Sequence, residues 1–226
     1  MPRESWNVPN AITVVRILSC PLIFVLALST SAGTLLVAFL LFTAAAVSDL
    51  WDGYLARKHG LVTTVGKLLD PIADKLLLAS TFIPFYIVSH RPDPLSDIPF
   101  WGAMPLWVLM VIFGREVAVT LFRSWAARKG SVISAGQSGK IKAFTQNIFS
   151  GALLLWYALV RMAHESGWTA TTLWDGWAIF HGSVVALSLL VALVLTVYSM
   201  GVYGWQNRAL FTSGGEVDRS AGGREG

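Results

Sequence analysis

A single cysteine, Cys20, excludes any disulfide within the chain, and its place inside an apolar run marks it as a packing residue. Charge is scarce too: Asp, Glu, Lys and Arg make up 13% of the 226 residues, against 54% hydrophobic. An ordinary water-soluble domain carries about 25% charged residues, so that class is excluded. No internal repeat and no low-complexity domain is present. The small excess of Lys and Arg, a formal +4, need not mean nucleic acid. In so apolar a chain it marks cytoplasmic loops and contacts to anionic lipid or phosphate.

What is abundant is apolar sequence in blocks that match a bilayer, which a helix crosses in about 20 residues. Six such helices are predicted, at about 11–28, 34–57, 67–89, 100–128, 139–163 and 177–205. The first block resembles a signal-peptide core, but Arg16 interrupts it and no cleavage site follows, so it reads as a retained helix. Residues 1–9 are polar and suit the membrane surface, 10–208 form one transmembrane domain, and 209–226 read as a disordered tail. Lys and Arg concentrate at both termini and in the loops around 57–67 and 128–142. The positive-inside rule places those segments in the cytoplasm.

Against that background four carboxylates stand out. Asp49 and Asp52 are three residues apart and share a helix face, and Asp70 and Asp74 are four apart and share another. Both pairs fall at the cytoplasmic ends of their helices. Each acid at membrane depth costs roughly 2.5–3.5 kcal/mol on insertion scales, which argues for a use rather than for chance. Where such acids converge, repulsion is relieved by protonation or by metal, and an all-oxygen set suits Mg²⁺ or Mn²⁺. Gly53 and Gly66 leave room for a close approach to backbone. Arg57 beside them suggests an anionic substrate, most plausibly a phosphate.

Other polar residues admit two readings. Asn10 and Thr13 fit either simple capping or a ligand role. His59 reads as a loop residue. Arg115, Glu116 and Arg123 are unusual in an apolar segment, and Arg115 with Glu116 fits either a structural ion pair or a site. Lys140 and Lys142 either snorkel to the interface or bind a ligand.

The spacing D-x2-D-G-x2-A-R-x8-G-x3-D-x3-D is complete from Asp49 to Asp74, through Gly53, Ala56, Arg57, Gly66 and Asp70. It resembles the signature of the CDP-alcohol phosphotransferase family of integral membrane enzymes. Two further stretches are similar to the branch that uses glycerol 3-phosphate as acceptor. One is Pro9-Asn10-Ala-Ile-Thr13-Val-Val-Arg16, with Pro21 following. The other is Gly114-Arg115-Glu116, then Arg123, then Gly139-Lys140-Ile-Lys142. The resemblance covers about residues 7–205.

It implies an all-α integral membrane protein with six transmembrane helices around a polar cavity open to the cytoplasm, assembled as a homodimer in a bacterial inner membrane. The implied reaction moves the phosphatidyl group of CDP-diacylglycerol to glycerol 3-phosphate, releasing CMP. By the same resemblance Asp49, Asp52, Asp70 and Asp74 hold one or two divalent cations, with Asp74 also the general base. Asn10, Gly53, Ala56, Arg57, Thr63 and Gly66 would bind CDP-diacylglycerol. Thr13, Arg16, Arg115, Arg123, Lys140 and Lys142 would hold the acceptor phosphate. A different acceptor (inositol phosphate, serine or phosphatidylglycerol) is the nearest rival. A divalent-cation transporter leaves the glycines and Arg57 unexplained, and a membrane prenyltransferase spaces its aspartates differently.

Overall fold

A computed structural model describes residues 8–59, 63–128 and 137–206. Within these, the side chains of 8, 9, 50, 52–59, 64, 67, 127, 128, 137–140 and 206 lie outside it. Residues 1–7 of the expected surface segment 1–9, the whole expected tail 209–226 and the loop residue Gly60 also fall outside the described residues. His59 ends a described helix, but its side chain does not belong to the described set.

Among the described residues there are six long helices and no strand. They are α1 (Val8–Ala27), α2 (Ala32–His59), α3 (Thr64–Ser89), α4 (Leu106–Arg128), α5 (Gln137–Ser166) and α6 (Thr172–Gln206). Two single turns of 3-10 helix, Pro94–Ser96 and Trp168–Ala170, interrupt the connections before α4 and α6. Five of the six helices contain stretches long and apolar enough to cross a membrane. In α4, Arg115, Glu116 and Arg123 interrupt the run, so that any membrane-length stretch of it contains at least three charges.

The burial pattern is that of a protein solvated by lipid. Val15, Leu18, Leu22 and Val25 of α1 face outward, as do Leu173, Val194, Val197 and Tyr198 of α6. On the opposite face of α1 a single stripe is buried, running Asn10, Thr13, Arg16, Cys20, Ile23 and Ala27. Those positions recur at helical spacing, so α1 turns its polar residues inward and its apolar residues out. Chain integration into a membrane follows from this inversion together with the apolar spans.

The stripe matters because α1 packs against both α2 and α3. Helix α2 in turn packs on α5, α5 on α6 and α6 on α4, while α3 touches α4 and α5 and closes the ring. The centre is aromatic. Phe82 and Phe85 of α3 meet Phe149 of α5 at centroid separations of 5.2 and 5.8 Å, and Phe85 reaches Tyr157 at 6.1 Å. The Thr81 and Ser150 hydroxyls hydrogen-bond at 3.0 Å across the same interface. Toward the other end of α5, Trp156, Trp177 and His181 form a stacked column that ties α5 to α6, and His181 Nε2 lies 2.9 Å from the Ala152 carbonyl.

Two helix starts differ from the sequence expectation. Helix α4 begins at Leu106, not near 100. Phe100 and Gly102 have φ of 61° and 70°, and the Ile98 amide bonds the Gly102 carbonyl at 2.9 Å, so 98–102 is a closed turn incompatible with helix. Helix α6 begins at Thr172 rather than near 177. The Thr171 hydroxyl accepts from the Trp174 amide at 3.3 Å and caps the helix five residues earlier than its aromatic belt suggests.

Candidate active site

The site is built where α1 crosses the facing ends of α2 and α3. Helix α3 starts because Thr63, in extended conformation, turns its hydroxyl back to accept from the Gly66 amide at 3.0 Å. The same hydroxyl is paired with the Asn10 side-chain amide, at 2.9 Å from its nitrogen and 3.1 Å from its oxygen. Asn10 therefore ties the start of α1 to the start of α3. Gly66 is buried beneath them, and a Cβ there would stand 2.8 Å from Asn10 Oδ1 and 3.2 Å from Thr63 Oγ1. Only glycine leaves this junction intact. Three residues expected at one ligand, Asn10, Thr63 and Gly66, are thus brought together.

One turn along α1, the Thr13 hydroxyl donates to Asp70 Oδ1 at 3.3 Å. One turn further, Arg16 Nη1 meets Asp49 Oδ1 at 2.5 Å, with the arginine side chain 1% exposed and the aspartate 34%. Thr13 and Arg16, expected at an acceptor phosphate, therefore lie against the aspartates. Asp74 follows Asp70 by one helical turn and lies within electrostatic reach of Asp49, Asp70, Arg16 and Glu116. Asp49 is half-buried, and Asp70 and Asp74 are exposed. Asp49 and Asp70 are each held to α1, by Arg16 and Thr13, and Asp49, Asp70 and Asp74 lie within electrostatic reach of one another. The fourth, Asp52, falls outside the described side chains, as do Ala56, Arg57 and any group facing Gly53.

The donor set is chemically suited to a hard divalent ion. Its members are carboxylate oxygens that repel one another, and Arg16 offsets only one of them. Among the described residues no three acidic, His or Cys side chains form a metal centre by themselves. A complete one needs Asp52 or oxygen atoms from a ligand.

A second polar cluster sits across the bundle. Glu116 of α4 accepts from Lys142 of α5 and, at 3.2 Å, from Arg115 Nη1 of its own helix. The Lys142 side chain is 4% exposed. Two cations share one carboxylate, so the cluster keeps one unit of positive charge. Lys142 and Glu116 both feel Asp74, which puts this cluster beside the aspartates. Arg123 points elsewhere: its guanidinium carbon lies 5.9 Å from the Tyr203 ring centroid, on α6. The expected basic set is therefore split, and Lys140 lies outside the described side chains. Glu116 was legible only as a possible ion pair. Its bridging of α4 to α5 depends on a contact 26 residues apart that spacing does not reveal.

At the other end of the bundle, Arg161 of α5 holds Asp93 and Ser96 at 2.8 Å each and pins the connection before α4. Burial pushes the Asp93 carboxyl up. Hydrogen bonds from Arg161, the Leu95 amide and Ser96, with the Arg161 charge, outweigh that and hold it below the usual carboxylate range.

The model of the CDP-alcohol phosphatidyltransferase family matches residues 6–198. The chain is 36% identical over 201 residues to the CDP-diacylglycerol–glycerol-3-phosphate 3-phosphatidyltransferase of Bacillus subtilis, across 80% of this chain and 97% of that one. A probable phosphatidylglycerophosphate synthase of Mycobacterium tuberculosis is 35% identical over 153 residues, 66% of each chain. A Rickettsia prowazekii protein with the same name as the Bacillus one is 33% identical over 153 residues, 68% of this chain and 77% of that one.

Proposed function

The chain belongs to the CDP-alcohol phosphatidyltransferase family, and from that premise we propose that it transfers the phosphatidyl group of CDP-diacylglycerol to glycerol 3-phosphate. The products are phosphatidylglycerophosphate and CMP, and the role is phospholipid biosynthesis. The observation that carries this reading is the placing of two unlike polar clusters side by side. Asp49, Asp70 and Asp74 lie within electrostatic reach of one another, and Asp74 is within reach of Glu116, which holds Lys142 and Arg115. A reaction between a diphosphate and a phosphorylated alcohol needs both an anion-shielding centre and a cationic pocket.

In this reading all six helices span the membrane and the site opens to the cytoplasm, the bacterial inner membrane being the setting. The protein acts as a homodimer. Mg²⁺ or Mn²⁺, two ions per site, would be held by Asp49, Asp52, Asp70 and Asp74. Such ions neutralise the diphosphate and ease the departure of CMP. The remaining work falls to the chain. Asn10, Thr63 and Gly66 meet at the start of α3, and the cytidine and its phosphates would lie beside this junction, with Gly53, Ala56 and Arg57 as further partners. Lys142 and Arg115, with Lys140, receive the acceptor phosphate, bordered by Thr13 and Arg16, while Arg123, turned to Tyr203, stands apart. Asp74, within electrostatic reach of both clusters, takes the proton from the attacking hydroxyl. The hydroxyl oxygen then forms the new bond to the lipid phosphorus as the bond to CMP breaks, without a covalent enzyme intermediate.

The test is CMP release by the purified full-length protein in detergent, given CDP-diacylglycerol, Mg²⁺ or Mn²⁺ and one acceptor at a time. Release with glycerol 3-phosphate alone, abolished by a chelator, is the expected result. Release only with inositol phosphate, serine or phosphatidylglycerol would reassign the cationic pocket. No release with any alcohol would overturn the transferase reading.

A further inference from the structure

A groove of about 880 Å³ runs between α4 and α6, lined mainly by Met110, Gly114, Arg115, Val197, Met200 and Gly201. That size is within the roughly 300–1,000 Å³ of small-molecule sites. Three absent side chains carve it out. A Cβ placed on Gly114, Gly201 or Gly204 would meet nothing within 4 Å. Its rims face outward: Met110, Val197 and Met200 are all at least half exposed. The one ionic group in the lining is Arg115. Its Nη1 goes to Glu116, which it shares with Lys142, and its buried Nε has no hydrogen-bond partner among the described residues. The groove thus pairs an apolar trough, open sideways to lipid, with a buried donor and a surplus positive charge at its wall. Thr196 adds no polarity, since its hydroxyl is spent on the Ala192 carbonyl.

We propose that this groove seats one acyl chain of a phospholipid whose phosphate lies on Arg115. A free phosphate ion leaves the apolar trough unfilled, and an uncharged lipid leaves the Arg115 Nε without a partner, so a phosphate joined to an acyl chain satisfies both halves. The proposal rests on the transferase reading in one respect only: the lipid product of that reaction bears phosphates on a diacyl body and could leave by this route. Occupancy is read without turnover, although on that reading the seated lipid and the acceptor phosphate would share the Arg115 guanidinium.

The experiment places the full-length protein in vesicles that contain phosphatidylglycerol with a photoactivatable diazirine in one acyl chain. After illumination, adducts are mapped by peptide mass spectrometry. Labelling should concentrate on 110–114 and 197–204 over the outward faces of α1 and α3. Gly201→Phe fills the trough where open space exists, and should remove most of that labelling. Gly204→Leu serves as a second filling variant should the first misfold. With a diazirine-bearing diacylglycerol as comparison, wild type should prefer the phospholipid. Arg115→Gln should reduce that preference about tenfold, as loss of one charged hydrogen bond does. Even labelling of all outward helix faces would overturn the proposal, as would adducts that survive both filling variants. So would cross-linking of Gly201→Cys to residues 207–226 or to a second copy, which would assign the groove to those segments. A protein that is labelled as expected but releases no CMP would keep the groove and sink the transferase reading, so the two failures are distinguishable.

Discussion

Arg16 and Asp49 form an ion pair at 2.5 Å between α1 and α2, with the arginine buried and the carboxylate open on one side. The pairing explains how an arginine is tolerated within the first span. It also shows that α1 contributes to the acidic cluster as well as to the membrane anchor. Removing one partner of a buried pair leaves an uncompensated charge. Arg16→Met and Asp49→Asn should therefore each lower the melting temperature in detergent. The double variant should recover part of the loss, with a coupling of about 1–3 kcal/mol. Additive effects in a thermal-unfolding cycle would mean that the pair contributes nothing.

The aspartates of α3 separate chemistry from folding. Asp70 and Asp74 are exposed, so Asn at either position leaves the packing untouched. Asp74→Asn should cut CMP release by about 10²–10⁴-fold, the range of a lost general base, with the melting temperature of the apoprotein unchanged or raised. A rise is the physically interesting result. It would report relief of the repulsion among Asp49, Asp70, Asp74 and Glu116.

Much of this arrangement was legible in the sequence. The apolar blocks led to six long helices, and the Asp49–Asp74 spacing placed the acidic residues on α2 and α3. What the sequence hid were the partners. Asn10, Thr13 and Arg16 recur at helical spacing, yet nothing in that spacing says that Asp70 and Asp49 lie opposite; this depends on α1 packing between α2 and α3. Likewise Lys142 reads as a snorkelling residue until α4 and α5 are placed side by side. The turn at 98–102 was hidden because Ile98, Phe100 and Trp101 are as apolar as a helix start, while its cause is backbone conformation at Phe100 and Gly102.

Gly66→Ala tests the junction at the start of α3. The added methyl would stand 2.8 Å from Asn10 Oδ1, which is held by its bonds to Thr63 and is not free to swing away. The variant should lose about 1–2 kcal/mol of stability, the worth of one or two hydrogen bonds. The KM for CDP-diacylglycerol should rise with it. Asn10→Ala gives up the same bonds to Thr63, so combining it with Gly66→Ala removes the clash and should cost little beyond Asn10→Ala alone, with KM still raised. A KM unchanged in all three variants would reduce Asn10 and Gly66 to a structural tie.

Lys142 and Glu116 can be dissected in the same way. Lys142→Met leaves the carboxylate to Arg115 alone, whereas Glu116→Gln strands both cations, so the second change should destabilise more. The double variant leaves Arg115 as the one charge of the cluster and should recover part of the melting temperature. If Lys142 receives the acceptor phosphate, the KM for glycerol 3-phosphate stays raised by about tenfold or more in the double variant, the loss of one charged contact. The KM for CDP-diacylglycerol should not move. Full kinetic recovery would make the pair a brace between α4 and α5 and nothing more.

The contact of Asp93 with Arg161 supplies the pH dependence. The folded Asp93 carboxyl titrates below its unfolded value because Arg161, the Leu95 amide and Ser96 hold the charged form. A depressed folded value means that the contribution is complete above the unfolded value of about 3.9 and is lost as pH falls through the folded one. The connection before α4 should therefore stay anchored through neutral and mildly acidic pH and loosen only below about pH 4. Hydrogen exchange at the Leu95 and Ser96 amides, followed across pH after correction for intrinsic rates, reads this directly. Asp93→Asn should show the loosened exchange at every pH, since its amide accepts more weakly and carries no charge for Arg161. Arg161 would then keep Ser96 and a weaker, uncharged acceptor at position 93, and α5 should loosen its hold on the connection while the aspartate site at the far end of the bundle is undisturbed. An effect of Asp93→Asn on CMP release equal to its effect on exchange would show instead that the two ends are coupled through α5, which carries both Arg161 and Lys142.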